Sequence, residues 1–269
     1  MHSNQGNKNM NDKIKAFAPK ILPVVAPSNV SAKPHHPNLP CVDCGVAGGG
    51  SLLLMISPVK TGKSTIISNL LLNDQFYGQE FFDDVQIISN TIKNDVTSRF
   101  LNQAFNVHDY YSDDIIDGII NRQKSFEKQY QPEMALILDD CLGSIKRESR
   151  INHLCSRYRH FNIKLLVISS QKFKGSVSPI IRANATDVII GSPFPNQKEL
   201  EAVAEEYGDL FGGKENWLKL YRQATPNKYD FCYMSLQDNP PIMLSNFAQV
   251  IATGGYATDI EAKIDKDDS

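Results

Sequence analysis

Five cysteines in 269 residues, an odd number and widely scattered, are too few for a disulfide framework, and no apolar run at the N-terminus suggests secretion. An intracellular, reducing setting is the expectation. Long hydrophobic runs are missing as well: Leu52 to Ile56 and Lys164 to Ile168 are strand-sized, whereas a membrane span needs roughly 20 apolar residues. No membrane partner is expected. Nor does one sign of charge dominate, since 28 Lys and Arg face 30 Asp and Glu for a net charge of -2. Any nucleic-acid binding must therefore come from a local patch rather than from a basic global field. No internal repeat is visible. What remains, with 41% hydrophobic and 22% charged residues, is an ordinary globular composition with enough chain for one large domain or two small ones.

Residues 1–45 are rich in Asn, Lys and Ser, with prolines at positions 19, 23, 27, 34, 37 and 40, and read as a disordered lysine- and proline-rich arm. Inside it, Cys41-x-x-Cys44 has the spacing of two zinc ligands, with His35 and His36 as further candidates. No second Cys pair follows at finger-like distance, so two plain thiols are the simpler reading. Residues 251–269 read as an acidic flexible tail, with Asp259, Glu261, Asp265, Asp267 and Asp268 and no aromatic residue beyond Thr258.

Residues 46–250 form the single domain between these arms. Nearly all-apolar runs at Leu52–Ile56, Val85–Ser89, Ala135–Leu138, Leu165–Ser169 and Asp187–Ile190 have the composition of strands covered on both faces. They alternate with stretches of helical period. Asp113–Tyr130 carries Ile115, Ile116, Ile119 and Ile120 on one stripe, and Gln197–Tyr207 carries Leu200, Val203 and Ala204. The fold class is therefore α/β, a mainly parallel sheet covered by helices on both faces. Two alternating stretches, Trp217–Arg222 and Tyr229–Ser235, flank Thr225-Pro226-Asn227 and predict a closing C-terminal β-hairpin.

The chemistry is concentrated at strand ends. Ser57-Pro58-Val59-Lys60-Thr61-Gly62-Lys63-Ser64-Thr65 follows the first strand and opens a helix whose apolar face is Ile66, Ile67, Leu70 and Leu71. Strand, loop and amphipathic helix in that order are the context of a phosphate-binding loop. Its backbone N–H groups would surround a β-phosphate, Lys63 would reach the β and γ oxygens, and the Ser64 hydroxyl would join the shell of a Mg²⁺ ion. Ser57 stands where the usual pattern opens with glycine, so the first turn must form at negative φ. About 75 residues on, Leu136 to Asp140 is an apolar strand ending in two carboxylates. Asp139 would hold Mg²⁺ through water, and Asp140 would orient or deprotonate an attacking water. Gln171, at the end of the next strand, could sense the γ-phosphate of ATP, and Arg157, Arg159 and Arg182 flank that strand as candidates to stabilise phosphoryl charge.

Over residues 50–247 these elements together resemble the FtsK–HerA superfamily, and within it the poxvirus-type genome-packaging ATPases of large DNA viruses and virophages. The resemblance rests on the loop with Lys63-Ser64, on Phe76-Tyr77 and Phe81-Phe82-Asp83-Asp84, and on Leu136 to Asp140. It rests also on Arg159-His160 ahead of the strand that ends in Gln171, on Pro179 to Thr186 with Arg182 and Asn184, and on the late Tyr229 to Tyr233 strand. Ser57 and Lys60 depart from it, both commonly being glycine there. It implies a P-loop ATPase that uses ATP and Mg²⁺ and assembles as a homo-oligomeric ring. Such a ring moves double-stranded DNA into a preformed capsid, meets capsid or portal vertex proteins, and works in the virion and at the assembly site in host cytoplasm. An arginine acting in trans is expected as well, Arg182 ahead of Arg159, because it follows the Gln171 strand by about ten residues, beyond Pro179, where its side chain can project at a domain edge towards a ring neighbour. A plasmid or conjugative DNA pump shares this core. A nucleotide kinase would show an arginine-rich lid, which is not seen, and a non-hydrolysing scaffold would not need Asp140 and Gln171.

Overall fold

The computed structural model describes residues 38–42, 49–92, 99–141, 143 and 148–255. Nine strands form one sheet in the order β3-β2-β4-β5-β1-β6-β7-β8-β9. They are β1 Ser51–Ile56, β2 Asp84–Ser89, β3 Asn106–His108, β4 Met134–Asp139, β5 Ile163–Ser170, β6 Asp187–Gly191, β7 Phe231–Ser235, β8 Ile242–Ser245 and β9 Gln249–Thr253. The first six pair in parallel and the last three are added antiparallel. This is the expected α/β sheet of a P-loop NTPase core.

Successive residues of a strand point to opposite faces, and both faces are dry here. Leu52, Leu54 and Ile56 join one core cluster, Leu53 and Met55 the other, so β1 has no polar alternation to show. The first face is covered by α3 Asp113–Lys124, α4 Arg150–Cys155, α5 Pro179–Asn184, α6 Gln197–Tyr207 and α7 Lys214–Ala224. The second is covered by α1 Lys63–Leu72, by α2 Arg99–Ala104 and by an aromatic turn that carries Phe76, Tyr77, Phe81 and Phe82.

Three sequence expectations are corrected. Trp217–Arg222 is not a strand but the middle of α7, where Trp217, Tyr221 and Ala224 are buried at spacings of four and three. Trp217 stacks on Tyr221 with ring centroids 5.6 Å apart, so the helical period outweighed the apparent alternation. The closing hairpin is built from β7 and β8 instead, with β9 as a third strand. Helix α3 stops at Lys124, short of Tyr130. Ser112 caps its start by accepting from the Ile115 N–H at 3.2 Å, and Asp113–Asp114 at one end with Arg122 and Lys124 at the other complement its dipole.

Residues 38–42 also differ from the expected arm. Leu39 and Val42 are buried, the Asn38 amide donates to the Phe247 carbonyl at 2.8 Å, and the Tyr77 hydroxyl donates to the Pro40 carbonyl. This short piece packs because it offers two apolar side chains to the aromatic turn. Cys41 is disulfide-bonded, and Cys44 lies outside the described residues, as do the rest of the arm and the acidic tail from residue 256. Strand β9 continues to Thr253, three residues into the segment expected to be tail.

Candidate active site

Because six strands run parallel, their C-terminal ends meet along one edge. Pairing Ile56 with both Ser170 and Ile190, and Ser89 with Asp139, brings the ends of β1, β2, β4, β5 and β6 side by side. Every candidate at a strand end is therefore delivered to one place.

Gly62, at φ 94°, caps α1 from the left-handed region, and Lys60 is held there too at φ 63°. Lysine at position 60 thus adopts a backbone that favours glycine. Ser57 does not: it stays outside the left-handed region, is fully buried, and its hydroxyl meets that of Thr61. Thr61 in turn donates to the Pro58 carbonyl at 2.6 Å, tying the loop across its own base.

Lys63 is buried with its ammonium turned into the loop. Nζ donates to the Ser57 carbonyl at 2.9 Å and pairs with Asp140 Oδ2 at 3.2 Å. Gln171 Nε2 donates to the same Asp140 oxygen at 3.2 Å. Asp140 itself sits at φ 51°, a left-handed turn that aspartate tolerates better than most residues. Its backbone N–H donates to Ser169 Oγ at 3.1 Å.

Asp139 is the buried partner. Ser169 Oγ donates to its Oδ1 at 2.5 Å and Ser89 Oγ to its Oδ2 at 3.2 Å. Burial pushes the Asp139 carboxyl above the usual carboxylate range, and the neighbouring Asp140 charge adds to that push. The Ser169 and Ser89 hydroxyls and the Lys63 ammonium oppose it. Around these groups lies a cleft of about 970 Å³ lined by Pro58, Val59, Lys60, Gly62, Lys63, Ser64 and Thr65 on one side. Asp140, Gln171 and Thr91 also line it, and the rest of its wall comes from Ile66, Asn69 and Phe76 and from the residues entering β7 and those just after β8.

No protein-family model matches the chain. It is 30% identical over 217 residues to protein 075L of Invertebrate iridescent virus 6, a match spanning 78% of this chain and 81% of that one. The chain belongs to the family of that iridescent-virus protein. Protein 088R of Invertebrate iridescent virus 3 is 29% identical over 147 residues, 53% of each chain. Among solved structures, B204, the DNA-packaging ATPase of Sulfolobus turreted icosahedral virus, is similar at a TM-score of 0.52 and 15% identity, over 72% of this chain and 96% of that one. The genome-packaging NTPase B204 of Sulfolobus turreted icosahedral virus 2, in complex with ATP-gammaS, gives 0.51 at 16% identity with the same coverage. This likeness is one of fold: the chain has an α/β P-loop NTPase fold.

Within that fold, Lys63, Asp139, Asp140 and Gln171 come together, and the two arginines do not join them. Arg182 does not project from the domain edge as the sequence suggested. It is half-buried on α5, paired with Glu206 of α6 and lying over the Phe173 ring at 5.2 Å, because α5 and α6 pack on the same face of the sheet. Arg159 is exposed in the turn before β5, its Nε donating to the Tyr158 hydroxyl at 3.1 Å. Eight strand residues separate it from the Gln171 end of β5, roughly 26 Å at a strand's rise.

Two residues escaped the sequence reading, Ser89 and Ser169. Their signal was a serine at or next to the end of an otherwise apolar strand on either side of the one that carries Asp139 and Asp140. A third, Gly191, explains how this family member accommodates Ser57. A Cβ added at Gly191 would lie 1.9 Å from Ser57 Oγ and 2.9 Å from Ser57 Cβ, so the end of β6 provides the space that the serine occupies. Gly191→Ala should destabilise the protein by about 1–3 kcal/mol through overpacking. Adding Ser57→Gly should recover most of that loss in thermal unfolding, whereas equal losses for single and double variants would break the coupling.

Proposed function

We propose that this chain is an ATP-hydrolysing motor that translocates double-stranded DNA and packages a viral genome into a preformed capsid. The observation that carries the reading is the convergence of Lys63 and Gln171 on one oxygen of Asp140, beside a buried Asp139, at the mouth of a phosphate-loop cleft. The B204 proteins, a DNA-packaging ATPase and a genome-packaging NTPase that share this fold, support it, as do the viral sources of the sequence relatives.

In this reading the loop N–H groups and Lys63 bind the β- and γ-phosphates of ATP. Lys63 then exchanges Asp140 for phosphate oxygens, and Asp140, relieved of its cation, becomes free to accept a proton from water. Gln171 can donate to phosphate and accept from that water at once. Ser64 and Asp139 fit Mg²⁺, since both present hard oxygen donors at the loop, with Asp139 oriented by two serines. When bound, the ion neutralises charge on the β- and γ-oxygens. An arginine arrives from a neighbouring subunit of a homo-oligomeric ring, and Arg159 is that residue: it is exposed and too far along β5 to serve its own site. Capsid or portal vertex proteins are the docking partners, and the virion and the assembly site in host cytoplasm are where the motor works.

ATP turnover measured with and without duplex DNA tests the proposal, together with electron microscopy of the protein with duplex and an ATP analogue. DNA should stimulate hydrolysis and thread a ring. Turnover that responds only to a small phosphate acceptor would make the protein a kinase, and binding without turnover would make it a scaffold. Among the described residues no helix is long and apolar enough to cross a membrane.

A further inference from the structure

The phosphate loop forms one side of the 970 Å³ cleft, a volume within the range of small-molecule sites, and the opposite side is lined by Lys228, Tyr229, Asp230, Phe231, Asn246 and Phe247. Of these, Tyr229 stands out. The residue is 56% exposed, its backbone is held at φ 76°, and its N–H donates to the Ser192 carbonyl at 3.3 Å, one residue beyond the end of β6. A bulky residue in the left-handed region is a strained one. Here the strain holds an aromatic face in a cleft instead of in the core.

The surroundings make that face firm. Phe247 packs edge-on against Phe76, Phe231 and Tyr233 at centroid distances of 6.2, 5.0 and 4.8 Å, and the Lys228 ammonium lies over one face of the Tyr229 ring, 4.7 Å from its centroid, which leaves the other face for a base. The polar side chains nearby are already engaged with the protein. Asn246 Nδ2 donates to Asp230 Oδ1 at 2.8 Å, and Asn246 Oδ1 accepts from the Phe231 N–H at 2.8 Å. Asp230 Oδ2 accepts from the Asn227 N–H at 2.8 Å, and Asn69 Nδ2 donates to the Thr65 carbonyl at 2.9 Å. An aromatic face is on offer, while Asn246, Asp230 and Asn69 already spend hydrogen bonds within the protein.

We infer that Tyr229 is the platform on which the nucleotide's base stacks, and that this subsite recognises a purine by its face and not by its edge. The inference rests on the nucleotide-binding reading above. Its consequence is weak base selectivity: a pocket without hydrogen-bond complementarity separates similar ligands poorly, so ATP and GTP bind within about tenfold of each other.

Calorimetric titration of the full chain with ATP, GTP and inorganic tripolyphosphate tests this, using the parent, Tyr229→Phe, Tyr229→Gly and Lys63→Ala. Glycine suits a φ of 76°, so the variant that removes the ring also relieves the backbone. Tyr229→Phe should bind like the parent. Tyr229→Gly should bind both nucleotides roughly 5- to 100-fold more weakly, the range of base–aromatic stacking, and tripolyphosphate unchanged. Unaltered nucleotide binding by Tyr229→Gly, or an equal loss for tripolyphosphate, overturns the stacking role. An ATP-to-GTP difference above about tenfold in the parent overturns recognition by face alone. Failure of the nucleotide reading itself would look different, with Lys63→Ala binding all three compounds as the parent does.

Discussion

Lys63→Ala protein should hydrolyse ATP at least about 10²- to 10³-fold more slowly than the parent, the scale on which removing one preorganised charge-stabilising donor acts. Its ammonium is buried and already lies between the Ser57 carbonyl and Asp140, so it needs little reorganisation to meet phosphate oxygens. Asp140→Asn should separate the two halves of the site. The amide keeps the size of the carboxylate but cannot take a proton, and turnover should drop by about 10²- to 10⁴-fold, the usual worth of general-base catalysis. ATP affinity should hold or rise, because asparagine no longer competes with phosphate for Lys63. Turnover assays paired with equilibrium binding measure both. Near-normal hydrolysis by Lys63→Ala would remove the phosphate-loop assignment, and near-normal hydrolysis by Asp140→Asn would place the base elsewhere.

Mixing Arg159→Ala subunits with Asp140→Asn subunits should restore ATPase activity that neither variant has alone. In a mixed ring some interfaces pair an intact Asp140 on one subunit with an intact Arg159 on the next. A trans arginine is worth about 10³-fold or more in turnover, so recovery at even a minority of interfaces stands clear of either parent. Arg182→Ala subunits, which keep both Asp140 and Arg159, should retain ATPase activity without mixing, since the Arg182 guanidinium is held by Glu206 and Phe173 of its own chain. Arg159 mixtures as inactive as both parents, with each variant still assembling and binding ATP, would remove the trans arginine from the mechanism.

The strands and the loop were legible in the order of residues. Leu52–Ile56 and Leu165–Ser169 have the length and composition of strands buried on both faces, and Lys63-Ser64 followed by a helical apolar stripe marks the start of α1 after such a strand. These are local signals, carried by period and spacing within about ten residues. Local period misled where a segment fitted two patterns: Trp217–Arg222 alternates, yet its large side chains also fall on one helical face, and the sheet side available to pack against settled the matter as α7. The paired carboxylates were legible, but the serines that orient Asp139 were not, because each lies on a different strand and meets it only through sheet order. That Gly191 accommodates Ser57, that Arg182 is held by Glu206, and that Tyr229 lines the phosphate-loop cleft from far along the chain are facts of packing alone. Those facts depend on which parallel strands lie side by side, and strand order is set by the burial of two whole faces rather than by any one segment.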